Sequence, residues 1–541
     1  MLDHQHQGEM PYTSLIVKIG GVVFAIIVPY LIFSSFISPI KDIPGPWLAK
    51  FTDLWRLMDF YSGTQIETQR RLHKKFGSAV RIGPNMVSLN DPALFKTVYS
   101  TRGQYLKTDF YKVNDAMQNG NRIQNVFSTR DKALHAKYMR PIHKLFSLHH
   151  ILSQEHLFSR TLMQLCQHLE ERFIDGENTG LTCDLAQWIE FYCWDVDGEV
   201  TFGQPMGFLK AGGDETGMIH ASELSQRYFG IVGQMPWLDV WLGKNARCPI
   251  KFPTFARTAE YCAQRVAERQ ASSDKAPPID FLDHYIEAKR LNPETVTDNE
   301  IIGYLMINIL AGADTTAIVT KAIVYHVLSN PTVHSRLRDE LDTANLSFPA
   351  TYNETKDLTY LDAVIREGMR IHPVLGGIVE RVVPAGGLNL PDGRVISPGV
   401  LVGMNPWLIH RNKEIYGQDS NAFRPERWLR HAFETQDDYQ RRLRRMKDTD
   451  FSFGAGSRAC IGKTFALVEI FKTVATLFHR YNFPRRSSGQ LGGGGLLSWI
   501  TYTLHFLVVM GTSRIQICIR VMKLEQGLSS ADLFKLSSGQ G

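Results

Sequence analysis

A chain of 541 residues with 44% hydrophobic and 11% aromatic residues can build a substantial core, as several small domains or one large helix-rich one. A net charge of +6 is mild at this length and gives no reason to expect a nucleic-acid partner. Seven cysteines without paired spacing (166, 183, 193, 248, 262, 460 and 518) exclude a disulfide framework and suit a reducing compartment.

Residues 1–18 read as a short tail, and Ile19 to Ile37 are almost continuously apolar. That run matches the roughly 20 residues a membrane-spanning helix needs. A cleaved signal would have a shorter apolar run followed by a small-residue cleavage site. Here the run leads instead into a proline-rich hinge, residues 38–50, containing Pro39, Pro44 and Pro46. Lys41, Lys50 and Arg56 follow the run, whereas Lys18 is offset upstream by Asp3 and Glu9. The positive-inside rule then places the tail in the lumen and the body in the cytosol.

Ala79 to Leu89 predicts two strands around a Gly83-Pro84 turn. Thr129 to Ser147 reads as a helix carrying Arg130, Lys132, His135, Lys137, Arg140, His143 and Lys144. Such a run is either a solvated face or a surface that meets carboxylates. Residues 155–290 give helical patterns without isolable chemistry.

Thr297 and Glu300 form a capping box, and apolar residues then run to Asn330-Pro331. The implied rod is about 45 Å long. Its middle, Ala311-Gly312-Ala313-Asp314-Thr315-Thr316, is poor helix material. Either the threonine hydroxyls bond back to the preceding turn, or this is a groove facing a ligand, with Asp314 and Thr315 delivering protons.

Tyr360 to Ile371 predicts a helix ending before Pro373, with Glu367 and Arg370 on one face. Phe423 to Trp428 offers Arg427 between apolar anchors, so Glu367, Arg370 and Arg427 suit a buried structural lock. Val374 to Arg381 is apolar and glycine-bearing; it fits a pocket wall ending in an arginine that reaches an anion.

Phe453-Gly454-Ala455-Gly456-Ser457-Arg458-Ala459-Cys460-Ile461-Gly462 is the densest chemical signal. Its glycines let backbone approach a large flat group. Arg458 stands two residues from the sulfur, and the loop feeds a helix N-terminus, where a thiolate is favoured. This is how a thiolate is presented to a haem iron. Two alternatives compete. Gly454-x-Gly456-x-x-Ala459 formally satisfies a dinucleotide fingerprint, but Lys447 to Asp450 is not a preceding strand and no acid lies between Glu469 and Glu525. Structural zinc needs neighbouring cysteines, and only Cys518 follows.

In this order, the cysteine loop, the interrupted helix and the Glu-x-x-Arg helix resemble the cytochrome P-450 superfamily from the Pro44-Gly45-Pro46 hinge to about Asn482. Ile43 to Ala49 and Arg81 to Asn85 look like its fungal pisatin-demethylase-like branch. The resemblance implies a mainly α fold with small sheets, residues 51–482, behind a single-pass anchor in the endoplasmic reticulum membrane. It implies haem b ligated by Cys460 within the loop that begins at Phe453, with propionates held by Arg458 and Arg381. Asp314 and Thr315 would relay protons, and Glu367, Arg370 and Arg427 would form the structural triad. Where the family usually has Trp-x-x-x-Arg, this chain has His135, Met139 and Arg140; His135 and Arg140 are the expected substitutes. The run Arg441, Arg442, Arg444, Arg445 and Lys447 is expected to dock an acidic NADPH-cytochrome P-450 reductase. The implied function is oxidation of a lipophilic small molecule with O2, in fungal secondary metabolism or detoxification.

Residues 483–541 depart from that pattern. Ile500 to Phe506 and Arg514 to Arg520 alternate like terminal strands, yet a four-glycine run precedes them. A translated intron or misjoined exon explains the glycines better, and the alternative function is then a haem-binding protein with impaired turnover.

Overall fold

The computed structural model describes residues 38–118, 121–175, 182–271 and 279–483, scattered positions between Lys18 and Leu31, and four two-residue strands between Tyr502 and Lys523. The expected luminal tail and membrane anchor lie almost wholly outside the described residues, as does most of 483–541.

Among the described residues, nine helices position the site: α1 (Leu54–Tyr61), α2 (Gln65–Phe76), α3 (Lys132–Met139), α4 (Leu185–Phe202), α5 (Met218–Val232), α6 (Asp298–Ser329), α7 (Thr359–Ile371), α8 (Gln436–Asp448) and α9 (Lys463–Arg480). The predicted capping box starts α6: Glu300 accepts the Thr297 N–H at 3.0 Å, and the Thr297 hydroxyl accepts from Asn299 N–H. Asn330 and Pro331 stop it after 32 residues, about 48 Å of rod. Although apolar enough by composition to span a bilayer, α6 is the core axis. Helix α4 lies along it, buried for most of its length, and Trp194, Ile309, Val324, Val364 and Val474 join α4, α6, α7 and α9 in one hydrophobic cluster.

Five strands form the main sheet: β1 (Ala79–Gly83), β2 (Met86–Leu89), β3 (Leu106–Lys107), β4 (Arg381–Val382) and β5 (Leu401–Met404), in the order β1-β2-β5-β4-β3. Only the β2–β5 pair is parallel. The hinge docks on this sheet: Arg81 N–H donates to the Pro44 carbonyl at 2.8 Å, and a Cβ on Gly45 would stand 2.1 Å from the Arg81 carbonyl oxygen. With Ile40 and Ile43 buried as well, this segment is part of the body rather than a free spacer.

The basic helix is shorter than its sequence suggests. It covers only Lys132–Met139, because Pro141 cannot continue it, and a 3-10 turn follows at His143–Phe146. At the other end of the chain, Tyr502–Thr503 pairs with Arg514–Ile515, within the two stretches that alternate in sequence. Cys518–Ile519 pairs with Cys183–Asp184, and Met522–Lys523 with Tyr481–Asn482. The late strands thus return to the body.

Candidate active site

Between α6 on one side and the cysteine loop on the other lies an internal cavity of about 310 Å³. Gly454 and Gly456 adopt φ of +65° and +69°, values that side chains other than glycine rarely tolerate. Gly456 is also pressed against the chain, since a Cβ there would stand 2.2 Å from the Tyr99 carbonyl oxygen. Cys460 N–H donates to the Phe453 carbonyl at 2.8 Å and closes the loop. Phe453 and Cys460 both line the cavity, and among the described cysteines only Cys460 does so. Cys460 is exposed, as a residue lining this cavity can be. Loss of solvent raises the thiol pKa, opposed by the N–H groups of Gly462 and Lys463 at the start of α9.

One end of the cavity is strongly cationic. Lys107 on β3 and Arg381 on β4 are direct cross-strand partners, both buried. Lys107 Nζ donates to the Phe127 carbonyl at 2.6 Å and lies 4.3 Å from the Tyr111 ring centre. Arg381 donates to the Glu380 carbonyl at 2.8 Å and stacks over Tyr99. Arg458 donates to the Asp131 carbonyl at 3.3 Å, and its buried Nη1 has no partner. These hydrogen bonds all end on neutral acceptors. The adjacent acid, Glu380, is already held by Arg56 at 2.9 Å and Thr108 at 2.7 Å. Burial and mutual repulsion lower Lys107 well below its ordinary pKa, Arg458 to about 10 and His135 to about 4. Like charges face to face across a sheet are destabilising. The arrangement calls for an anion.

The expected break in α6 is absent: the helix runs unbroken through Ala311 to Thr316, and Ala311, Gly312, Thr315 and Thr316 line the cavity. The Thr315 hydroxyl donates back to the Ala311 carbonyl at 2.6 Å. Asp314 does not line the cavity. It accepts from Trp194 Nε1 at 3.0 Å and Ser222 Oγ at 2.8 Å, and burial pushes its pKa up to about 7.

Comparison with known proteins agrees with this geometry. The family model described as Cytochrome P450 matches residues 44–490. A cytochrome P450 monooxygenase, cfoH, of Aspergillus candidus is 36% identical over 465 residues, 85% of this chain and 86% of its own length. One of Aspergillus terreus is 35% identical, covering 86% of this chain and 95% of its own. Another, vrtE of Penicillium aethiopicum, is 31% identical, covering 88% and 90%.

The chain belongs to the cytochrome P450 family.

P450s bind haem through a cysteine thiolate, and this P450 is an oxidoreductase of the monooxygenase type. Its cavity fits the group on the chain's own evidence: one thiol lining it, and a buried cation cluster with an orphaned guanidinium nitrogen where carboxylates would complete the hydrogen bonds. His135 lines this end of the cavity. Arg140 departs from the expectation that it reaches the same group. It sits exposed where α3 ends at the Pro141 break, outside the cavity lining.

Glu367, Arg370 and Arg427 are brought together in one buried cluster. Arg370 clamps Glu367 with bonds of 2.8 and 2.7 Å, and Arg427 Nε reaches the same carboxylate at 3.0 Å. Trp428 Nε1 adds a fourth bond at 2.9 Å. On α8, Arg441, Arg444, Arg445 and Lys447 are exposed. Arg442 differs from the expected docking role: it is turned inward, bonded to Glu434 at 2.7 Å and to the Leu429 carbonyl at 2.8 Å.

Two cavity residues escape sequence reading. Lys107 looks like one lysine among many; only its aromatic surroundings, Tyr105 to Tyr111, hint at burial. Asp197 sits in the helical stretch from 155 to 290 that carries no motif, yet it lines the cavity behind Gly312.

Proposed function

We propose that this P450 is anchored in the endoplasmic reticulum membrane and oxidises a lipophilic small molecule, in fungal secondary metabolism or detoxification, with Cys460 as the haem thiolate. Cys460, alone among the described cysteines, opens into a cavity that also gathers buried cations without a counter-ion; that observation carries the reading. Lys107, Arg381, Arg458 and His135 would hold the propionates, and Phe453 begins the ligand loop, its carbonyl accepting the Cys460 N–H. The haem supplies O2 activation and oxygen-atom transfer when bound. The chain's part is to exclude water with the apolar wall around Val374 and Val379 and to move protons at the Thr315 hydroxyl, with Asp314 behind it. The pisatin-demethylase-like affinity of the N-terminal motifs belongs to this reading.

Electrons come from an NADPH-dependent reductase docked at Arg441, Arg444, Arg445 and Lys447. Exposed Trp47, Tyr61, Trp237 and Trp241 support the membrane assignment, because such rings suit the membrane–water interface. The second reading, a haem protein without turnover, draws on the four-glycine run; the pairing of Met522–Lys523 with Tyr481–Asn482 weighs against it.

Purified protein tests the reading in two steps. The reduced carbon-monoxide complex should give a thiolate-type spectrum that Cys460→Ser abolishes. With a fungal reductase and a lipophilic substrate panel, NADPH consumption should yield oxygenated product. A haem-free protein, or a spectrum indifferent to Cys460→Ser, would overturn it.

A further inference from the structure

Behind the cavity, α4, α6 and α9 meet in a seam of buried polar atoms that none of the roles above uses. Gly312, Thr316 and Thr320 follow each other at intervals of four on one face of α6. Asp197 comes from α4 and Glu469 from α9. Asp197 Oδ2, Thr316 Oγ1, Thr320 Oγ1 and Glu469 Oε1 all lack a hydrogen-bond partner, and none of these residues is more than 3% exposed. Four unmet groups in one seam are the condition under which buried water is retained.

The seam reaches the cavity at one point. A Cβ on Gly312 would stand 2.3 Å from Asp197 Oδ2, so only glycine lets that carboxyl press against the turn. The Ala313 N–H faces the same carboxyl, and Asp197 lines the cavity together with Gly312 and Thr316. The charged and titratable neighbours offer no compensation. Glu469 and Asp314 both disfavour ionisation of Asp197, Cys193 donates its thiol to Glu469, and Tyr285 is neutral. Lys321, whose charge acts on the neighbouring Cys193, is tied to Glu190 at 2.8 Å. Burial accordingly raises Asp197 well above its ordinary pKa and Glu469 to about 8.

We infer that Asp197 and Glu469, linked by the Thr316 and Thr320 hydroxyls and intervening water, form a second proton-donor line entering the cavity at Gly312, apart from Asp314 and Thr315. The inference rests on the monooxygenase reading. At the site, substrate, O2, two electrons and two protons give hydroxylated substrate and water. Each proton leaves a carboxyl O–H for cavity water; Glu469 reloads Asp197 through the hydroxyls, and solvent reloads both between turnovers.

Infrared difference spectra of the holoenzyme at pH 7 read the proton inventory without turnover. The C=O stretch of a protonated carboxylic acid, shifted by D2O, should lose one component in Asp197→Asn and another in Glu469→Gln. With haem content and the carbon-monoxide spectrum unchanged, Asp197→Asn should also lower product formed per NADPH by about tenfold; the loss stays below the hundredfold typical of removing an acid outright because the Asp314 route remains. Thr320→Val removes a hydroxyl outside the cavity at nearly constant shape. It should increase the solvent isotope effect on product formation and covers the case in which Asp197→Asn does not fold. Protonated-carboxyl bands unaltered in Asp197→Asn, or an isotope effect unaltered in Thr320→Val, would overturn this inference while leaving the monooxygenase reading standing. Absence of the thiolate spectrum would remove the reading itself.

Discussion

Lys107 and Arg381 stand directly opposite each other on adjacent antiparallel strands, both buried, and their hydrogen bonds end on neutral oxygens. Two buried cations in register oppose folding until an anion arrives. Lys107→Met should therefore raise the melting temperature of haem-free protein while weakening haem retention. A charge-assisted hydrogen bond contributes about 1.5–3 kcal/mol, so haem loss to an acceptor protein should accelerate roughly ten- to hundredfold. Equal effects of the substitution on the haem-free and haem-bound forms would contradict the assignment.

The cysteine loop tolerates no side chain at Gly456. Its φ of +69° and the 2.2 Å approach to the Tyr99 carbonyl oxygen make Gly456→Ala doubly unfavourable. Backbone strain alone costs about 1–3 kcal/mol, and the clash must move the loop. Haem incorporation and the thiolate spectrum should be largely lost, whereas Gly386→Ala, in open space, should behave as wild type.

Stability should carry the signature of Asp314. Burial raises its pKa from 3.8 to about 7, so the folded chain keeps a proton that the unfolded chain releases. The stabilisation is complete below about pH 4 and is lost as pH rises through 7. This residue should contribute a decline of roughly 1.4 kcal/mol per pH unit across that window. Denaturant titrations of wild type and Asp314→Asn at several pH values read it, together with the relief the substitution gives Asp197, whose ionisation Asp314 disfavours. A pH-independent difference would contradict the assigned protonation.

Reversing Arg444, Arg445 and Lys447 to glutamate should slow reduction by the reductase and flatten its dependence on salt, since all three side chains are exposed. Arg442→Glu should behave differently. It places a carboxylate beside Glu434, so it should lower the melting temperature before it affects electron transfer.

Much of this architecture is legible in the sequence because it rests on local signals. The capping box, the Gly83-Pro84 turn, the glycines around Cys460 and the i,i+3 pair Glu367 and Arg370 each depend on neighbours in the chain. The end of the basic helix was also written locally, in Pro141, but the charge pattern running past it was the louder signal. What stayed hidden is non-local. That Lys107 faces Arg381 depends on strand register between segments more than 270 residues apart. Asp197 matters because α4 lies along α6, and Arg442 turns inward because Glu434 and Leu429 wait for it.

The pairing of Cys518–Ile519 with Cys183–Asp184 and of Met522–Lys523 with Tyr481–Asn482 bears on how the chain is made. Until the ribosome has passed residue 523, Tyr481–Asn482 presents an unpaired edge, and the nascent enzyme carries a sticky seam that a chaperone or another chain can occupy. A message that stops short of this point would leave Cys460 in place and yield a protein prone to aggregate rather than a merely shortened enzyme.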